Sequence, residues 1–136
     1  MAARDIARDL GAGALRGALV GLPILGIAGR LMMRIIAHWE GRSPVLTPSG
    51  TFTVVMMGTV AGTIGGMIHA LLLRFVRSAL LRLALFGVFA VLFTLYAVRE
   101  LLIRPRLLFV AIMIVYVVVL ELLSRTQRVR EVAIDS

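Results

Sequence analysis

Apolar positions in this chain come in long runs, not in the strict alternation of a half-buried strand or the half-polar period of a soluble surface helix. Residues 51–73, TFTVVMMGTVAGTIGGMIHALLL, hold 23 positions without a formal charge. That length lets a helix cross the ~30 Å hydrocarbon core of a bilayer. Three further apolar runs flank it. The pattern predicts an all-α integral membrane bundle of four transmembrane helices, at about 11–37, 51–73, 78–98 and 106–124. Short loops join them, and polar tails at 1–10 and 125–136 complete a single domain.

The breaks between runs follow turn chemistry in one place and length in another. Pro44, Pro48, Ser49 and Gly50 mark residues 40–50 as a loop, with Thr47 or Ser49 placed to cap the helix that follows. After Leu73 there is no Gly or Pro until Gly87. One helix from 51 to 98 would run about 70 Å, more than twice the hydrocarbon core. The chain must therefore reverse near Arg74, Arg77 and Ser78. Pro105 interrupts the basic stretch before the last run, and Pro23 should kink the first helix.

Two glycine ladders stand out within the runs: Gly13, Gly17 and Gly21 in the first, and Gly58, Gly62 and Gly66 in the second, with Gly65 beside it. At 100° per residue, Gly58, Gly62, Gly65 and His69 fall within roughly 60° of one another. A helix face without side chains lets another backbone approach closely, which is how helices associate in lipid. The ladders predict that the first two helices pack on each other.

Composition reinforces the membrane reading. The 136 residues are 60% hydrophobic, too few polar side chains to form a soluble shell. The formal charge of +8 comes with fifteen arginines and no lysine. They sit between apolar runs, the layout of membrane flanks and not of a phosphate-tracking surface, so no nucleic acid partner is expected. With four spans, Arg4, Arg8, Arg16, Arg74, Arg77, Arg82, Arg125, Arg128 and Arg130 lie toward one side. Arg30, Arg34, Arg42, Arg99, Arg104 and Arg106 lie toward the other. That bias places both termini in the cytoplasm, and the expected location is a bacterial cytoplasmic membrane.

The ionisable residues inside or near the spans are the candidate sites. Arg30, Arg34 and His38 form a basic stripe at the end of the first helix, suited to lipid headgroups, to a carboxylate or to an anion. Glu121 is an acid within the last run, with Arg125 four residues on and Arg16 or Arg82 as partners across helices. Arg82 itself begins a stripe with Phe86, Phe89, Phe93, Tyr96 and Glu100, a packing surface by its spacing. His69, on the glycine face, points at another helix. Its reading is an interhelical hydrogen bond. The alternative is axial ligation of haem or a chlorophyll-type pigment, since the Gly65, His69, Leu73 spacing resembles that of bacterial light-harvesting polypeptides over nine residues.

No nucleotide fingerprint, thiol or nucleophile–base pattern is present, and two histidines do not make a metal site by themselves. No enzyme activity, metal or resident cofactor is expected. The function expected is that of a small non-catalytic membrane protein acting through helix packing, as a subunit of a larger membrane complex or as a homo-oligomer. A small channel or transporter for an anion or polar solute is the alternative, with Arg30, Arg34 and His38 at its mouth.

Overall fold

The computed structural model describes residues 2–43, 45, 47–97, 99–100 and 103–136, the Arg104 side chain excepted. Pro44 of the expected loop and Val98, the expected end of the third run, lie outside the described residues. Among the described residues, four helices are long and apolar enough to cross a membrane: α1 (Ala2–Trp39), α2 (Pro48–Phe75), α3 (Ala79–Ala97) and α4, which spans Ile103–Asp135. No strand occurs among the described residues.

Helix ends extend beyond the apolar runs. α1 already begins at Ala2, and α4 continues through the polar residues 125–135. Arg, Glu and Gln are good helix formers, so polarity alone does not stop a helix that is already nucleated. At 33 residues α4 is about 50 Å long and outreaches the hydrocarbon core by several turns. Pro23 is accommodated within α1 by a π-helical stretch over Leu22–Ala28, whose wider turns suit a residue that lacks the N–H for an ordinary helical bond.

The two turns at opposite ends use local side-chain chemistry. Thr47 caps α2, its hydroxyl accepting from the Gly50 N–H at 3.2 Å, with Pro48 in the first helical turn. At the other end Val76 is extended, and the Ser78 hydroxyl accepts from Leu81 N–H at 3.4 Å to open α3. The reversal falls where length required it.

The closest backbone approach is between α1 and α2. A Cβ added to Gly13 would lie 2.5 Å from the Ala70 Cβ, and one on Gly21 would lie 2.6 Å from the Gly62 Cα. Gly17 fits against the Gly62 carbonyl and the backbone of Gly66, and Gly58 fits against Gly26. Gly65 differs: it faces the Tyr116 ring of α4, not α1. A core of Val20, Phe86, Ala90, Tyr116, Val117 and Leu120 joins α1, α3 and α4.

The seam gives a direct test. Gly17→Ala must push its methyl into the α2 backbone and should lower unfolding stability in detergent by about 1–3 kcal/mol, the range for overpacking. Gly87→Ala adds the same methyl to α3 with nothing within 4 Å and should melt like the parent or slightly above it. Equal melting of the two variants would show that the glycine faces do not hold α1 to α2.

A buried ion cluster as candidate functional site

Glu121 sits on α4 in the face that also carries Tyr116, Val117, Leu120 and Ser124, all buried. The glutamate is 3% exposed, and its carboxylate meets side chains from two other helices. Arg82, in the first turn of α3 and equally buried, forks onto it: Nη2 donates to Oε1 at 2.6 Å and Nε to Oε2 at 3.1 Å. His69 of α2 places Nε2 2.9 Å from Oε2. The arginine fork keeps the carboxylate an acceptor, so the imidazole N–H donates to it. Arg125, one turn along α4, approaches Oε1 at 3.4 Å from a half-exposed position.

The local sequence explains why these groups converge. Arg82 follows the tight turn at Val76–Ser78, and its Nη1 donates to the Val76 carbonyl at 3.1 Å. One guanidinium therefore fixes the turn and the carboxylate together. On α3 the buried positions are Arg82, Phe86, Ala90 and Thr94, a four-residue repeat facing α4. On α2, His69 follows the row Gly58, Gly62, Gly66 after three residues instead of four, and its ring meets α4 and not α1. Its ring packs on Phe86, with centroids 5.3 Å apart.

Tyr116 makes a second link between α4 and α2. Its hydroxyl donates to the Gly62 carbonyl at 2.6 Å, and its ring fills the space that Gly65 leaves open. His69 Nε2, the atom an axial ligand would use, meets Glu121, and the Tyr116 ring lies against Gly65. Among the described residues, no group of three or more His, Cys, Asp or Glu side chains is placed to hold a metal ion.

Of the partners considered for Glu121, the structure brings in Arg82 and Arg125. Arg16 is half-buried within electrostatic reach of His69 and, among the described residues, forms no ion pair with Glu121. The structure joins His69 and Glu121, which the sequence pattern alone leaves in separate roles, and adds Tyr116 beside them. At 100° per residue Tyr116 lies about 140° from Glu121 on α4, so the wheel gives no signal that the two share a buried face.

Elsewhere the ionisable candidates do not converge. Arg30, Arg34 and Arg42 border a shallow pocket at the opposite end of the bundle, beside the N-terminus of α2, while His38 is exposed. Arg42 pairs with Glu40 at 2.6 Å. The aromatic stripe of α3 divides: Phe86 enters the core, Phe89 stacks on Phe93 at 6.3 Å, and Tyr96 lies exposed under Arg99. Glu100 pairs with Arg99 at 3.1 Å.

The cluster has charge, hydrogen bonds and a fixed shape. What it does physically is bind three helices to one carboxylate. No family model, curated protein or solved structure matches the chain.

The fork makes Arg82 irreplaceable by a point charge. Arg82→Lys keeps the charge but loses the planar fork that meets both carboxylate oxygens and the Val76 carbonyl at once. It should lower stability in detergent by about 1.5–3 kcal/mol, the scale of hydrogen bonds to charged groups. His69→Gln, able to donate to Glu121, should stay near the parent, while His69→Leu should lose about 1 kcal/mol. Thermal or denaturant unfolding of the purified variants reads both. An Arg82→Lys protein as stable as the parent would mean that the fork contributes nothing.

Proposed function

We propose that this chain is a non-catalytic integral membrane protein that acts through helix packing, as an accessory or assembly subunit of a larger membrane complex or as a homo-oligomer. The observation that carries this reading is the way Glu121, Arg82 and His69 satisfy one another inside the bundle. Both carboxylate oxygens of Glu121 have partners from Arg82, His69 and Arg125. Intramembrane charges usually line a path or a site, and these are closed on themselves. The outward faces offer apolar side chains alone over long stretches, such as Leu80, Leu85 and Leu92 on α3 and Ile114, Val118 and Leu122 on α4.

The transport alternative has less support. The shallow arginine pocket lies near the loop at 40–50, and the ion cluster lies near the α2–α3 turn. Between the two levels the core is Val20, Phe86, Ala90 and Tyr116, with the tyrosine hydroxyl already donating to Gly62. Such a core gives a hydrated solute no sequence of polar groups to follow.

Our placement is a bacterial cytoplasmic membrane with both termini in the cytoplasm. The support is the excess of arginine at the end that carries the termini and the α2–α3 turn. Asp9 of α1 and Arg74 of α2 pair at that same end, at 3.2 Å.

One tagged protein tests the reading. A reporter fused after Ser136 should be active in the cytoplasm. Purification through that tag in mild detergent should yield the chain together with other membrane polypeptides or with further copies of itself. A monomer that drives solute flux in proteoliposomes would contradict the packing role, and an external C-terminus would contradict the orientation.

A further inference from the structure

α2 and α3 diverge above the ion cluster. Each is held elsewhere, α2 by its glycine seam with α1 and α3 by its buried row against α4. Tyr116 of α4 stands as a wedge at Gly65, between them. The result is a cavity of about 210 Å³ whose floor is Phe86, Ala90 and Tyr116 and whose rim is Val60, Ile64 and Phe89. The floor is buried and the rim residues are half exposed, so the cavity opens sideways from the bundle.

We propose that this cleft holds one acyl chain of a membrane phospholipid, with the headgroup at the basic turn between α2 and α3. The inference goes beyond the packing role and rests on the chain lying in a bilayer. Depth identifies the occupant. Ile64 is 11 residues from the end of α2 at Phe75, about 16 Å along the helix. That is close to half of the ~30 Å hydrocarbon core. The mouth is therefore near the bilayer midplane, where the terminal half of an acyl chain is the medium and neither headgroup nor water is present.

Chemistry and size agree with that occupant. The Tyr116 hydroxyl already donates to the Gly62 carbonyl, so a polar ligand would find its groups unmatched there. An empty cleft would forfeit dispersion contacts along its aromatic wall. An enclosed apolar cavity of roughly 150 Å³ accepts benzene, so this larger one has room for a longer stretch of chain. At the surface end of the same α2–α3 seam, Arg77 is exposed in the turn, where a lipid phosphate would be.

Photolabelling in vesicles tests the assignment. The protein is placed in phosphatidylethanolamine vesicles containing phosphatidylglycerol with a diazirine at the end of one acyl chain. After irradiation, adducts are mapped by peptide mass spectrometry. Adducts should concentrate on the cleft residues of α2 and α3, above the level on the outer face of α1 at Leu15, Leu19 and Leu22. Moving the diazirine next to the chain's carbonyl should shift adducts to the α2–α3 turn. Ala61 is an exposed lining residue. Ala61→Phe, which fills the mouth from that position, should reduce cleft adducts to the outer-face level and leave the outer face unchanged. Cleft labelling equal to the outer face, or insensitive to Ala61→Phe, would overturn the proposal. Cleft labelling below the outer face would place a second protein surface there and overturn it equally.

Discussion

A carboxylate among apolar helices has no water to solvate it, and Glu121 meets this constraint by drawing two other helices to itself. The effective penalty for burying an ion is several kcal/mol, and it is offset only by good geometry with the remaining lone pairs satisfied. The Arg82 fork and the His69 N–H supply that geometry. Much of the lower half of the bundle follows from this one requirement. Arg82 must stand in the first turn of α3, so the α2–α3 turn must be short, and the same guanidinium then closes it through the Val76 carbonyl. His69 must face α4, so the α2 glycine row must end before it.

The upper half depends on a different economy. Lipid removes the hydrophobic drive between helices, leaving van der Waals contact and hydrogen bonds. Gly13, Gly17 and Gly21 of α1 and Gly58, Gly62 and Gly66 of α2 bring the two helices together where an added methyl would clash. Tyr116 then ties that pair to α4 through the Gly62 carbonyl, a glycine whose bare backbone is what lets a phenol reach it. The two devices meet at Tyr116 and Phe86: the tyrosine links α4 to the glycine seam, while the phenylalanine rests on the His69 ring. They hold α2 and α3 on separate partners, and the cleft between those helices is the consequence.

The fold was legible because in lipid it is written in long apolar runs, and the reversal after Leu73 because no helix so long can stay in a bilayer. Arg82 and Glu121 were legible as partners because an intramembrane acid needs a base. The third member was not. On an ideal wheel His69 falls among the glycines, between Gly58 and Gly62, yet in the structure it meets α4; wheel angles do not resolve that. Gly65 was assigned to the seam for the same reason, and it faces Tyr116 instead. The Arg30, Arg34 and His38 stripe reads as one face at i, i+4, i+8, yet only Arg30 is drawn in, toward the α2 N-terminus, while Arg34 and His38 are exposed. Helix ends lie beyond the apolar runs, because arginine and glutamate that leave the bilayer still favour helix.

The central claim is that Glu121 and Arg82 stabilise the bundle as a pair and not as two independent residues. Unfolding free energies in mixed micelles for Glu121→Leu, Arg82→Leu and the double variant measure it. Each single substitution leaves a buried charge without its partner and should lower stability by about 3–5 kcal/mol. The double variant should lose less than the sum of the two, with a coupling of about 2 kcal/mol, within the range found for residues in one ion-pair network. Strict additivity of the two losses would contradict the account.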